Sequence, residues 1–216
     1  MSIAQIFVAG GVVMWPLLAF SIVALALIAE RCVFWFRVQR RQRRVVREVL
    51  ALYPQDSSAA LFQLRKHAGL PIARIFLAAL ELEQAGQEEF RLALESEAQA
   101  ELPTLRRFNT VFETIVTVAP LLGLLGTVLG LINSFASLRL GDLAGSNTAN
   151  VTAGISEALI STATGLVVAI VTLLFSNLFK GFYLRQKAQI QEYGGHLELL
   201  HRRHYAQGVL SYATTR

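Results

Sequence analysis

A single carboxylate, Glu157, stands inside the apolar run GISEALISTATGLVVAIVTLLFSNLF that opens at Gly154. An ionised carboxylate in the hydrocarbon of a bilayer costs from about 2.5 to more than about 10 kcal/mol, so residues of this kind usually mark an ion or proton route. Ser161, Thr164 and Thr172 fall on the same broad helical face. In the preceding run, VFETIVTVAPLLGLLGTVLGLINSFASL from Val111, small and polar residues recur at alternating spacings of three and four: Pro120, Gly123, Thr127, Gly130 and Ser134. On a helix that spacing draws one narrow, smooth face. The chemistry these residues suit is passage of a proton or small ion along a helix pair. The plainer reading of Glu157 is a carboxylate paired with a cation or snorkelling to the nearby polar loop. Other chemistries find no residues to carry them: there is no nucleophile and base pair, no phosphate-binding glycine loop and no metal-ligand set, so no enzyme, cofactor or metal is expected. The one cysteine, Cys32, reads as a buried inert thiol. His67 stands alone, and His196, His201 and His204, spaced by five and three, read as part of a solvated tail.

The elements that must position Glu157 follow from composition. Of 216 residues 54% are hydrophobic and only 16% charged, which points to an all-α integral membrane protein and not a soluble domain. Residues 1–10 carry no charge, and Ile3, Ile6 and Phe7 share a helical face suited to an interfacial segment. Residues 11–36 form a first span, with Trp15 and Trp35 as headgroup-level brackets at its two ends and Pro16 in its first turn. Residues 37–110 form a helical domain, 111–138 a second span, 139–150 a short polar loop, 151–179 a third span, and 180–216 a C-terminal helix.

A basic run that includes Arg40, Arg41, Arg43 and Arg44 follows the first span. Lys and Arg number 13 in residues 30–110, one in the central loop and six from Lys180 onward. By the positive-inside rule the N-terminus is outside, and the long helices after the first and third spans extend into the cytoplasm. No aromatic or glycine-rich reading surface accompanies the arginines, so nucleic acid is not an expected partner.

Within residues 45–109, Tyr53 and Pro54 end one helix, Asp56 or Ser57 caps the next, and Gly69 with Pro71 breaks the chain again. Ile72, Ile75, Phe76, Ala79, Leu80 and Leu82 mark a packing face. From Gln87 onward no stop is evident before the second span, because Pro103 and Pro120 kink a helix without ending it. One continuous helix is therefore expected there, and Gly194 with Gly195 is a weak point in the tail.

The two stretches APLLGLLGTVLGLINSF, from Ala119, and GISEALISTATGLVVAI, from Gly154, resemble the signature segments of the ExbB/TolQ/MotA proton-channel family. The match is closest to ExbB and TolQ. The three-span layout agrees with those two and not with the four-span flagellar stators. Glu157 falls on the motif glutamate, Thr127 on the threonine of GLLGT, and Thr162 on the threonine five places after the glutamate. One departure is Ala153, where many relatives carry a proline, which would let the third span begin earlier.

The resemblance implies a homo-oligomer, pentameric in that family, in the bacterial inner membrane, with residues 1–10 and the central loop periplasmic. It implies an ExbD- or TolR-like single-span partner whose aspartate carries protons, a TonB- or TolA-like energy transducer, and surrounding membrane lipids. Gly123, Gly126 and Gly130 would let helices approach closely, as small-xxx-small patterns do. Thr127, Thr162 and Glu157 would line the proton path. A hydroxyl bonding back to a carbonyl of its own helix is the plain alternative for each threonine. On an ideal helix Glu157 and Thr162 point about 140° apart, so one narrow lumen does not receive both squarely. The rival readings are a TolQ-like envelope motor and a membrane scaffold that conducts nothing.

Overall fold

The computed structural model describes residue 7 and residues 9–82, 85–140 and 147–214. Ile3 and Ile6, on which the interfacial segment was argued, and the glycine-containing centre of the loop between the second and third spans lie outside the described residues. Everything described is helix, turn or coil. The helices are α1 (Met14–Leu52), α2 (Ser57–Lys66), α3 (Pro71–Leu80), α4 (Gln87–Leu105), α5 (Asn109–Leu140) and α6 (Asn147–Thr214). Three of the described helices are long and apolar enough to cross a membrane. The chain divides into two compact units, one of residues 1–31 with 108–179, the other of residues 32–107 with 180–216.

In the first unit the early part of α1 packs with α5 and α6. Val13, in the turn before α1, and Met14, Leu17 and Ala24 of α1 meet Ile115 and Ala119 of α5 and Ala169 of α6 in one buried cluster. Burial recurs every three or four residues along each helix: Phe112, Ile115, Ala119, Gly123, Gly126, Gly130 and Ser134 on α5, and Gly154, Ala158, Ser161, Gly165, Ala169, Thr172 and Ser176 on α6. The faces that turn away stay apolar, with Leu121, Leu124, Leu125, Leu166, Val167, Ile170 and Leu174 all exposed. Helices that are apolar all round belong in lipid or against further copies of the chain.

Pro16 sits in the first turn of α1, where its missing N–H costs nothing. Arg31 is 3% exposed, yet it lies in an apolar stretch because its guanidinium grips Glu30 at 2.7 and 3.3 Å and rests over the Phe108 ring at 5.2 Å. Phe108 itself adopts a left-handed φ of 68°. That residue overturns the continuous helix expected from Gln87. The Arg106 N–H closes α4 on the Leu102 and Pro103 carbonyls, the chain turns through Phe108, and α5 starts afresh at Asn109. Pro103 and Pro120 remain inside helices as expected. The stop comes from a backbone conformation that aromatic side chains rarely adopt, which no propensity scale assigns to Phe.

The second unit is built on capped helices. Asp56 accepts the Ser58 and Ala59 N–H groups at 2.9 and 3.0 Å to start α2. Glu89 reaches back to the Gly86 N–H at 3.0 Å to start α4. Ile72, Ile75, Phe76 and Ala79 are buried on α3, which packs between α2 and α4, while Leu80 is half-buried and Leu82 exposed. Arg74 of α3 holds Glu101 of α4 through a bidentate pair of 2.5 Å contacts.

Three further expectations give way here. Cys32 is exposed, because the buried stripe of α1 runs through Ile28, Arg31, Trp35 and Val38 and leaves position 32 about 100° away. Trp35 lies on that stripe and is 2% exposed against Phe34 and Phe182, so it is a core residue and not a headgroup-level bracket. Gly194 and Gly195 interrupt nothing, since α6 continues through them.

Candidate functional site

The site lies in the hairpin of α5 and α6, and glycines determine how close its helices come. A Cβ at Gly123 would meet the Thr162 backbone at 3.0 Å, one at Gly130 the Gly154 carbonyl at 2.6 Å, and one at Gly165 the Ala119 carbonyl at 2.5 Å. At Gly126 it would run into the Ser161 side chain. Backbone therefore touches backbone along the seam, and polar groups fill the gaps that side chains vacate.

Thr127 on α5 and Thr162 on α6 are hydrogen-bonded hydroxyl to hydroxyl. Thr162 also reaches the Gly123 carbonyl at 3.0 Å, and Thr127 reaches the same carbonyl at 3.2 Å and that of Ala158 at 3.4 Å. Each hydroxyl has one hydrogen and two acceptor positions. Either Thr127 donates to Thr162 and Thr162 to Gly123, or Thr162 donates to Thr127 and Thr127 to Gly123. Two hydrogen arrangements thus share one set of heavy atoms.

Ser161 beside them donates to Ala158 at 3.0 Å, and Ser134 to Gly130 at 2.9 Å. Both are the back-bonds expected of hydroxyls in apolar helices. Thr164 and Thr172 do the same at 2.8 and 2.7 Å, so neither joins the threonine pair.

Glu157 is half-buried and faces elsewhere. Its carboxylate lies directly on Gly11, where any Cβ would overlap it, and Gly11 has a left-handed φ of 72°. The angular gap between Glu157 and Thr162 is therefore real: Thr162 meets Thr127 within the hairpin, and Glu157 meets the segment that leads into α1. Helix α6 begins at Asn147, before Ala153, so Glu157 sits more than two turns inside it.

Sequence reasoning did not single out Gly11, Gly154 or Gly165. A signal for two of them was present, since Gly154, Ala158, Ser161 and Gly165 repeat small residues at spacings of four, three and four. Gly11 carries no such signal, because its role depends on a positive φ and a neighbour 146 positions away.

The arginines Arg40, Arg41, Arg43 and Arg44 belong to the second unit and are all exposed on α1. Arg40 stacks over Phe36 at 5.8 Å and lines a basic groove with Arg41 and Arg44, whereas Arg43 borders a separate cavity.

Among the described residues no cluster of His, Cys, Asp and Glu could hold a metal ion. His201 is not solvated as expected. Its ring stacks on Phe90 at 3.9 Å, its Nε2–H points at the Ala85 carbonyl at 3.2 Å, and its Nδ1 takes the Tyr53 hydroxyl at 2.7 Å. Burial holds the imidazole below its ordinary range, with the Ala85 hydrogen bond opposing and nearby His204 adding to the depression. Burial pushes the Tyr53 hydroxyl above its own.

A multi-pass helical membrane protein with a glycine-tight hairpin and a threonine pair in its seam is the class that fold and site define. Residues 67–192 match the MotA/TolQ/ExbB proton channel family, and the chain belongs to that family. The ExbB-like 3 protein of Synechocystis sp. is 58% identical over 209 residues, covering 96% of this chain and all of its own. The biopolymer transport protein ExbB of Salmonella typhimurium is 31% identical over 202 residues, 88% of this chain and 81% of its own. The Tol-Pal system protein TolQ of Haemophilus influenzae is 33% identical over 114 residues, 50% of this chain and 46% of its own.

Proposed function

We infer that the chain is the proton-conducting motor subunit of an inner-membrane complex that energises transport across the outer membrane. It acts as a homo-oligomer, a pentamer by analogy with the family, around the membrane helices of an ExbD- or TolR-like partner. A TonB- or TolA-like protein receives the motion. The observation that carries this reading is the Thr127 and Thr162 pair sharing the Gly123 carbonyl.

The pair can act as one link of a relay: one hydroxyl accepts a proton from an acid or hydronium on its side while the other releases its own hydrogen to a water or base beyond, and the hydrogen bond between them carries the exchange without moving a heavy atom. Glu157, on the Gly11 side, exchanges a proton with the partner's aspartate as that helix passes. Each proton that crosses the full potential releases about 2.3 kcal/mol per 100 mV, so a few protons suffice to drive a step of rotation or shear between helices.

The test is proton uptake into liposomes that hold this chain with its partner. Glu157→Gln and Thr127→Val should each abolish most of the flux at unchanged complex mass in mild detergent. Normal flux in both variants would remove these residues from the path and leave a scaffold. A TolA-like rather than TonB-like protein recovered with the complex would make the system a constriction motor of the TolQ kind.

A further inference from the structure

The second unit contains a cavity of about 250 Å³ where the apolar stretch of α1 gives way to its arginines. Its floor is made by Trp35, Gln42, Gln186 and Phe182, and Arg43 and Arg185 border it. Trp35 and Gln42 are each 2% exposed, and the Trp35 Nε1–H and the Gln42 Nε2 amide meet no acceptor among the described residues. The Gln42 carbonyl is already taken by the Gln186 amide at 2.6 Å. Neither arginine has a carboxylate partner among the described residues, and no acidic residue lines the cavity.

A buried N–H without an acceptor costs about 1–3 kcal/mol, so two among the residues lining one cavity favour an oxygen-rich group there. The volume far exceeds the ~10–15 Å³ that one water needs. Guanidinium groups recognise phosphate oxygens by charge and by paired N–H donors.

We propose that this cavity is a phosphate-binding site in which the Trp35 indole and Gln42 amide donate from the floor and Arg43 and Arg185 close over the anion. The ligand's chemistry is a phosphate monoester, phosphodiester or inorganic phosphate, supplied by a lipid headgroup or from solution. The basic groove of Arg40 and Arg44 differs from it in offering charge without buried, unpartnered donors.

The chain has two tryptophans, so Trp15→Phe leaves Trp35 as the single fluorescent reporter inside the site. Full-length protein in a maltoside detergent is titrated at constant ionic strength with sodium phosphate, with dihexanoyl phosphatidylglycerol, and with dihexanoylglycerol as the phosphate-free control. A saturable change in Trp35 emission with phosphate identifies a soluble anion as ligand; one with the phospholipid alone identifies a headgroup. In either case Arg43→Gln with Arg185→Gln should weaken the apparent affinity at least tenfold. Arg40→Gln with Arg44→Gln, which removes the same charge, should leave it within threefold. No saturable change with either phosphate compound, an equal change with dihexanoylglycerol, or equal loss in the two double variants would overturn the proposal. Unchanged helical circular dichroism in each variant shows that the fold is intact.

Discussion

The hydroxyl of Thr127 on α5 and that of Thr162 on α6 bond to each other and compete for one acceptor, the Gly123 carbonyl. Because the pair works as one unit, its parts are not additive. Thr127→Val and Thr162→Val keep the side-chain shape and remove the hydroxyl, and each should lower partner-dependent proton flux at least tenfold. The double variant should be no worse than either single one, and Thr→Ser at either position should restore most of the flux. Independent, multiplying losses in the double variant would show two unconnected hydroxyls.

Gly130 and Gly154 tell a different story from Gly194 and Gly195. A methyl at Gly130 would meet the Gly154 carbonyl at 2.6 Å and one at Gly154 would meet the Gly130 carbonyl at 2.7 Å, and backbone cannot swing aside as a side chain can. Gly130→Ala and Gly154→Ala should each destabilise the hairpin by about 1–3 kcal/mol, read as a lower melting temperature in detergent. Nothing lies within 4 Å of a Cβ at Gly194 or Gly195. Alanine there should raise stability by roughly 0.5–1 kcal/mol through helix propensity alone.

Gly11 positions Glu157 by having no side chain. Gly11→Ala must both accept a φ of 72° and push the carboxylate off its seat. Its proton flux should fall as far as that of Glu157→Gln, at a stability cost of about 1–2 kcal/mol. Measured flux near the parent value, with the variant assembled, would show that the Gly11 contact does not matter to Glu157.

His201 makes stability depend on pH. The unfolded imidazole takes its proton near 6.5, whereas in the folded chain burial depresses the affinity and Nδ1 is already accepting from Tyr53. The unfolded state therefore binds more protons at mildly acid pH, so this contribution is complete above pH 6.5 and is lost as pH falls below it. Tyr53 stacks near the ring, and nearby His204 adds to the effect once charged. Thermal melts between pH 8 and pH 5 should show a steeper decline for the parent than for His201→Phe, which keeps the stack on Phe90 and cannot titrate.

Much of this molecule follows from local chemistry that a sequence carries openly. Three apolar stretches of spanning length, the caps at Asp56 and Gly86, the buried face of α3 and the small-residue stripe of α5 depend on side-chain type and helical spacing over a few turns. Glu157, Thr127 and Thr162 were legible as residue types out of place in hydrocarbon, and by resemblance.

What only the tertiary structure decided are the pairings between distant residues and the backbone states that no side chain announces. The left-handed turn at Phe108 separates α4 from α5 although no glycine stands there to announce it. The indole of Trp35 is core beside Phe182, and the ring of His201 is half-buried against Tyr53 and Phe90. Which face Glu157 and Thr162 each present was determined by Gly11 in one case and Thr127 in the other. Helical periodicity gives the angle between two side chains; only packing says what stands at the end of each.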